Sequence, residues 1–388
     1  MTGDAAADAD DEHSARRPRR PAGAGLDKVS FESGGAFLRD VRHDVEAYLA
    51  NAGVRRRGRY ALYVKAGTAL GLMAGGWLGL MLASPGLPLA LLFLAALTFG
   101  AMLTAFSVQH DANHGAFFGR TWHNHLLGWS SDALLGYSSY VWRVKHNVAH
   151  HTYTNVDGFD DDIAQVPVLR LAPSQPSRWW YRWQHVYIWP LYCLFTLKMQ
   201  FIGDVNSLIR GQIGQSAVRR PRGWALFGYV GGKVFFFAWI LVVPMLVYPW
   251  WAVLAALVGI SAATGLVVAT TFQLAHCVEE ASFATPEELC AERRVWAVHE
   301  VESTVNFCPG NRFLTWFLGG LNYQIEHHLF PRIAHVHYPR IAGIVERHAR
   351  RHGVRYSAHA SLAGALRSHS GHLRWMGARG QPVELEMG

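Results

Sequence analysis

Four long apolar runs dominate the pattern of hydrophobic and polar positions along the chain. They cover residues 62–83, 87–107, 224–248 and 250–275, and the charged residues within them are Lys65 and Lys233. Each run approaches or exceeds the ~20 residues that an α-helix needs to cross ~30 Å of hydrocarbon. The pattern therefore predicts four transmembrane helices.

The four runs are arranged as two pairs. The segment SPGLP (Ser84–Pro88) joins the first pair, and Pro249 joins the second. Such short connections predict two helical hairpins, which would place both chain ends and the middle segment on one side. That side carries the flanking arginines, which are Arg55, Arg56, Arg57, Arg59, Arg219, Arg220, Arg222, Arg293 and Arg294. By the positive-inside rule, this side faces the cytoplasm.

The predicted fold class is an all-α integral membrane protein with four transmembrane helices in two hairpins and a cytoplasmic helical cap. We expect it in the cytoplasmic (inner) membrane, with both termini and the active site on the cytoplasmic side. Two weaker apolar segments, 126–142 and 179–203, are expected to lie on that face. Residues 1–30 are acidic, then basic, and predict a disordered tail. The membrane domain is predicted at 31–375 and a C-terminal tail at 376–388.

Composition narrows the class of partner. Charged residues make up 16% of the chain, whereas soluble proteins have about 25%. The net charge of +8 comes from basic residues beside apolar runs, which favours a membrane surface over nucleic acid. None of the four cysteines forms a CxxC pair, so neither a disulfide framework nor a thiolate zinc site is indicated.

Histidines cluster at the predicted cytoplasmic ends of the apolar runs. They occur in HDANH after the second run, in HNVAHH in the middle segment, in QLAHCVE after the fourth run, and in QIEHHLFP. The topology places all of them on one membrane face. The candidate metal ligands are His110, His114, His146, His150, His151, His276, His327 and His328. Eight imidazoles suit first-row transition metals and exceed the needs of one tetrahedral zinc ion.

The spacing of these histidines indicates how they would share metal ions. Residues four apart on a helix lie on one face, so His110 with His114, and His146 with His150, are each expected to bind one ion. Adjacent residues differ by ~100° around a helix, so His327 and His328 are expected to reach different ions. Two metal ions in one cluster is the resulting prediction.

The motifs HDANH, KHNVAHHTYTN with a following DDDI, and QIEHHLFP resemble the three histidine boxes of the membrane fatty acid desaturases. The resemblance extends over about residues 62–356, in the same order and at similar intervals. It implies an O₂-dependent fatty acyl desaturase, an oxidoreductase with two non-haem Fe ions bound by the box histidines and His276. Gln324 stands where many desaturases have histidine and is similar to the front-end, linoleoyl-CoA desaturase-like subgroup with a QxxHH box. Its amide would coordinate directly, hold a water molecule or orient a neighbour.

The same resemblance sets expectations for partners. The substrate would be an acyl lipid or an acyl thioester. The chain has no HPGG haem motif, so the electron donor would be a separate protein, either a ferredoxin, cytochrome b5 or a flavin reductase. No side chain beyond the metal ligands is required as a catalyst.

Other polar residues have expected supporting roles. Metal-bound histidines usually donate their second N–H to a carboxylate or carbonyl. The carboxylates placed for this role are Asp111, Asp160, Asp161, Asp162 and Glu326, of which Asp111, Asp161 and Glu326 are the predicted candidates. Arg143, Lys145, Arg178 and Arg182 either bind the substrate head group or meet lipid phosphates.

Three other functions compete with a desaturase. A zinc protease is disfavoured because the motif HExxH is absent. A transition-metal transporter, the non-enzyme alternative, should carry ionisable groups at mid-membrane, and the second and fourth runs have none. A membrane di-iron hydroxylase or a carotenoid or lipid oxygenase stays open as the alternative.

Overall fold

The protein is described by a computed structural model that covers residues 29–32, 35–83 and 85–378. Most of the predicted N-terminal tail, residues 1–28, lies outside the described residues. Residues 379–388 of the predicted C-terminal tail and Ser84 of the first connection also lie outside them.

Four helices of the described chain are long and apolar enough to cross a membrane. They are Gly53–Ala83, Leu87–Asn113, Trp224–Met245 and Trp250–His276. Each overlaps one of the predicted spans, so the prediction of a helical chain with four candidate spans is confirmed. The first two helices extend past their apolar runs into polar sequence, because backbone hydrogen bonding continues where hydropathy falls.

The first half of the chain contains nine α-helices within the described residues. They are α1 Ala36–Ala50, α2 Ala52–Ala83, α3 Leu87–Leu103, α4 His110–Asn113, α5 Thr121–Leu135, α6 Ser139–Trp142, α7 Gln184–Cys193, α8 Phe195–Lys198 and α9 Asp204–Arg210. Wider π-helical turns at Thr104–Gln109, Arg143–His150 and Met199–Gly203 continue α3, α6 and α8. A 3₁₀ turn at Trp179–Trp183 precedes α7, and the strands β1 Gln212–Ile213 and β2 Ser216–Ala217 pair antiparallel.

The second half continues with the remaining helices of the described chain. They are α10 Trp224–Phe237, α11 Val243–Met245, α12 Trp250–His276, α13 Pro286–Glu292, α14 Trp296–Ser303, α15 Arg312–Phe317, α16 Gln324–Leu329, α17 Tyr338–His352 and α18 Leu362–Ala378. A π-helical turn at Ala238–Val242 joins α10 to α11, and a 3₁₀ turn at His335–His337 precedes α17. The parallel strands β3 Asn306–Phe307 and β4 Ala358–His359 complete the described elements.

The helices after α12 pack beneath the ends of the apolar helices and enclose the histidine motifs. One apolar cluster joins Phe106 and Leu274, at the ends of two apolar helices, to Phe307 and Leu321. A second cluster joins one face of α1 to α14, α16 and α17. The QIEHHL helix α16 contributes Ile325 and Leu329 to the second cluster, and all six of its side chains are buried.

Helices α2 and α3 approach each other closely at glycine positions. A Cβ atom on Gly76 would lie 2.6 Å from the carbonyl oxygen of Phe93 and 2.8 Å from the backbone nitrogen of Leu97. A Cβ on the neighbouring Gly75 would meet no atom within 4 Å. The contact therefore requires glycine at position 76 and not at position 75. Small residues of this kind let membrane helices pack backbone to backbone.

We expect Gly76→Leu to destabilise the protein, because its side chain would push α3 away from α2. Overpacking of this kind costs roughly 1–3 kcal/mol. Thermal unfolding in detergent measures the change, with Gly75→Leu as the matched control on the same helix. Equal unfolding temperatures for the two variants would contradict this packing.

Candidate metal centre

All eight histidines predicted as ligands converge in one buried region. None exposes more than 6% of its surface. They come from α4 and its C-terminal end (His110 and His114), from the π-helical turn after α6 (His146 and His150) and His151 beyond it, from the last residue of α12 (His276), and from α16 (His327 and His328). Four separate parts of the chain thus bring their imidazoles together.

The histidines form two adjoining groups defined by the positions of their nitrogen atoms. In His110, His114, His146 and His327, one nitrogen of each ring lies within 4.8 Å of the others. His150, His276 and His328 meet the same criterion as a second group. The rings of His327 and His328 belong to different groups, as their adjacent positions on a helix predict.

His146 and His150 belong to different all-histidine groups, although one nitrogen of each also lies within 4.8 Å of the other and of a carboxylate oxygen of Asp162. The helix that carries them is a π-helix. In a π-helix the hydrogen bond runs between residues five apart, and the His151 N–H donates to the His146 carbonyl at 3.0 Å. His151 and His146 consequently face each other, with their Nε2 atoms 3.2 Å apart. His150 turns away to the second group, and His151 lies between the groups, 4.3 Å ring to ring from His328.

Several imidazole nitrogens are buried without a hydrogen-bond partner among the described residues. They are both ring nitrogens of His110 and of His276, Nε2 of His114, His327 and His328, and Nδ1 of His151. Buried polar atoms normally have partners, and clustered exceptions need an explanation such as an ion. The free lone pairs point to nitrogen ligation, so these residues fit a metal site.

Carboxylates orient two rings of the second group. Oδ2 of Asp160 lies 3.0 Å from Nδ1 of His150, and Oε2 of Glu300 lies 2.7 Å from Nδ1 of His328. Burial lowers the pKa of the His150 imidazole, but Asp160 more than offsets this and raises the pKa to about 9. Asp160 thus keeps a proton on Nδ1, and a metal ion would bind at Nε2 by displacing the second proton of the imidazolium, the arrangement typical of metal-bound histidine.

The carboxylates predicted for this role have other partners in the structure. Asp161 forms an ion pair of 3.2 Å with Lys145, while its neighbour Asp160 faces the histidine. Glu326 accepts hydrogen bonds from Asn306 and Tyr356, and burial raises its pKa to about 7. The Glu326 carboxylate points away from the histidine groups, because Glu326 precedes His327 by one residue and is therefore turned about 100° around α16.

Asp111, the third predicted carboxylate, contacts histidines but mainly one outside the predicted set. Its Oδ2 lies 2.8 Å from Nδ1 of His335, and its Oδ1 is 3.6 Å from Nδ1 of His110. Nε2 of His335 in turn lies 3.1 Å from the Lys65 ammonium, which is 3% exposed. Sequence reasoning missed Glu300, because α14 carries no histidine box and only the fold brings it to His328.

Gln324, the first residue of α16, is buried with its Nε2 unpartnered among the described residues. The candidate head-group residues lie in different surroundings. Arg143 donates to Asn113 at 3.3 Å, and Lys145 pairs with Asp162 at 2.8 Å. Arg178 stacks on the half-buried Trp180, and Arg182 stacks on the exposed Trp179 and Trp183.

A large cavity reaches the histidines from one side. Its volume is about 920 Å³, and its lining includes His146, His150 and His276 together with apolar side chains such as Phe195 and Phe272. A site with this volume, mostly apolar walls and a few polar groups is suited to a sizeable apolar ligand.

The arrangement of apolar helices and buried histidines corresponds to a known family. A model of the fatty acid desaturase family, described as "Fatty acid desaturase", matches residues 84–360, more than half of the chain. The chain belongs to this family. As a desaturase it is an oxidoreductase that acts on fatty acyl chains, and its four apolar helices make it an integral membrane protein.

Relatives of this desaturase cover nearly its whole length. It is 34% identical over 362 residues to the sn-1 linoleoyl-lipid 6-desaturase of Arthrospira platensis, covering 92% of this chain and 97% of that protein. It is 32% identical over 360 residues to the enzyme of the same name from Synechocystis sp., covering 92% and 98%. The acyl-lipid (8-3)-desaturase of Physcomitrium patens is 34% identical over 345 residues, 88% of this chain and 72% of that protein.

We expect Glu300→Gln to weaken metal retention about 10-fold or more, as loss of such outer partners usually does. The reason is that a neutral amide oxygen accepts a weaker hydrogen bond from the His328 ring than a carboxylate does. Metal per chain after desalting provides the measurement, and Glu302→Gln on the same helix is the matched control. Wild-type retention in Glu300→Gln would show that this carboxylate is not needed.

Proposed function

We propose that this desaturase introduces a double bond into the acyl chain of a membrane lipid, using two iron ions held by the converging histidines. The observation that supports this most directly is the pair of adjoining histidine groups with unpartnered nitrogens. Bound iron supplies the O₂ chemistry needed at unactivated C–H bonds, which ordinary acid–base side chains do not attack.

The two groups suggest how the ligands are divided. In this proposal one iron binds His110, His114, His146 and His327, with His151 facing them through its Nε2. The other iron binds His150, His276 and His328, and Gln324, whose side chain lies beside His276, completes it directly or through water. Asp160 and Glu300 hold two rings of the second group, and no other side chain acts as a catalyst.

The cavity beside the second group is the proposed acyl site. Phe195 and Phe272 would exclude water from the acyl chain, and Lys145 lies on the same wall near His146. Asp161 and Asp162 already balance the positive charge of Lys145. Lys145 would therefore orient a lipid head group rather than balance a negative charge on it. Arg178 and Arg182, which lie on tryptophans of the Trp179–Trp183 turn, are assigned to lipid phosphates.

The relatives suggest the substrate class. Two near full-length relatives are named as linoleoyl-lipid 6-desaturases, and Gln324 is typical of this front-end subgroup. We infer that the substrate is a linoleoyl-type lipid and that the new bond forms between its existing double bonds and the carboxyl end, at carbon 6.

The proposed topology follows from the placement of the arginines. The four spans would pair as two hairpins in the cytoplasmic membrane, with the domain 31–375 folding as one unit and both tails outside it. The helices that carry the histidines would form a cap in the cytoplasm, where a separate ferredoxin, cytochrome b5 or flavin reductase supplies electrons. Exposed basic residues of the cap would bind an acidic donor.

Cysteine labelling tests the orientation. Cys290 on α13 is the exposed cysteine of the four, while Cys277 and Cys308 are buried. We expect a membrane-impermeant maleimide to label the protein in inverted membrane vesicles and not in intact spheroplasts. Cys290→Ser should abolish the signal, and labelling in spheroplasts would place the cap on the opposite side.

Expression in a host that lacks this activity, fed with linoleate, tests the reaction. We expect mass spectrometry of the lipids to show a new trienoic acyl chain with a double bond at carbon 6. His150→Ala should lose both product and iron, whereas His123→Ala, outside the two groups, should retain both. Introduction of a double bond into previously saturated chains only would contradict the proposed linoleoyl-type substrate. Hydroxylated acyl chains would favour the membrane hydroxylase instead.

A further inference from the structure

Helices α1 and α17 pack side by side on the outside of the cap. Phe37, Val41 and Val45 on one face of α1 are buried against a cluster that includes Ile341 and Val345 of α17. This contact fixes the helices so that their polar edges also face each other. Those edges carry two carboxylates and two imidazoles.

The four polar groups are spaced four residues apart on both helices. Asp40 and Asp44 lie on α1, and His348 and His352 lie on α17. Because residues four apart share a helix face, both members of each pair point to the same seam. The spacing is the one found in helical metal sites, where two ligands of one helix reach one ion.

The distances bring three potential ligand atoms within reach of a single ion and place a carboxylate oxygen of Asp44 beside one of them. Nε2 of His348 lies 2.9 Å from Oδ2 of Asp44, and Nε2 of His352 lies 2.9 Å from Oδ2 of Asp40. One ligand atom from each of Asp40, His348 and His352 lies within 4.8 Å of the other two. Zinc binds imidazole and carboxylate at ~2.0–2.2 Å, so small side-chain rotations suffice.

The two histidines are held in place before any ion binds. His348 is 5% exposed, and its Nδ1 has no hydrogen-bond partner among the described residues. The ring of His352 packs edge-on against Phe37, with the ring centres 5.9 Å apart.

We propose that Asp40, Asp44, His348 and His352 form a binding site for a divalent transition-metal ion of the zinc type, which clamps α1 onto α17. Two imidazoles and two carboxylates make a tetrahedral set that neutralises the ion. Without an ion the same groups are two partly exposed ion pairs, which contribute little to stability. The site is separate from the histidine groups of the metal centre and does not depend on the proposed function.

The test uses the full-length, iron-loaded protein in detergent, with zinc chloride as the probe. We expect wild type to retain a further zinc ion that Asp40→Asn and His352→Asn do not retain, as measured by mass spectrometry after desalting. His359→Asn is the matched control, because it removes a different exposed histidine–carboxylate pair, with Glu280. Zinc at about 100 times its Kd should shift the unfolding equilibrium of wild type and control about 100-fold.

Equal zinc uptake and equal stabilisation in all four proteins would overturn the site. If a variant does not fold, X-ray absorption spectroscopy of the zinc-loaded wild type identifies the atoms that bind the zinc ion. Two imidazoles with oxygen ligands would support the site, and an all-imidazole shell would show that zinc binds elsewhere.

Discussion

Burial of imidazole nitrogens that have no protein partner is the constraint around which this desaturase is built. Each such group, left unsatisfied, costs about 1–3 kcal/mol, and eight buried histidines lie together beneath the apolar helices. A bound metal would offset this cost, so we expect metal binding to be coupled to folding of the helices that carry the histidines. The apolar packing around α16 holds the rings in these positions, where several ring nitrogens have no hydrogen-bond partner among the described residues.

The carboxylates near the site have different tasks according to their partners. Asp160 and Glu300 fix ring nitrogens, whereas Asp161 and Asp162 balance the charge of Lys145 at the cavity wall. The Lys145 ammonium at the cavity wall is therefore paired with carboxylates. An isolated charge in such an apolar setting would be costly. The cavity can thus be apolar enough for an acyl chain and still lie beside a metal centre.

Much of this organisation was predictable from the sequence, for identifiable reasons. Hydropathy locates a membrane span because a run of about twenty apolar residues matches the thickness of the hydrocarbon layer. The box motifs identify the histidines by residue type and spacing. The partners of those histidines were harder to predict. Glu300 carries no motif, and only tertiary packing chooses Asp160 over Asp161. The division of His146 and His150 between groups depends on a π-helical turn, which side-chain spacing alone does not reveal.

The π-helical turns at Thr104–Gln109 and Arg143–His150 come just before or within the segments that carry the first two boxes. A π-helical turn accommodates one residue more than an α-helical turn over the same stretch of helix. Loss of one residue there would return the helix to regular geometry and rotate every later ring by ~100°. The length of these segments is therefore as constrained as the identity of their histidines, and tolerance of insertions and deletions should end where these turns begin.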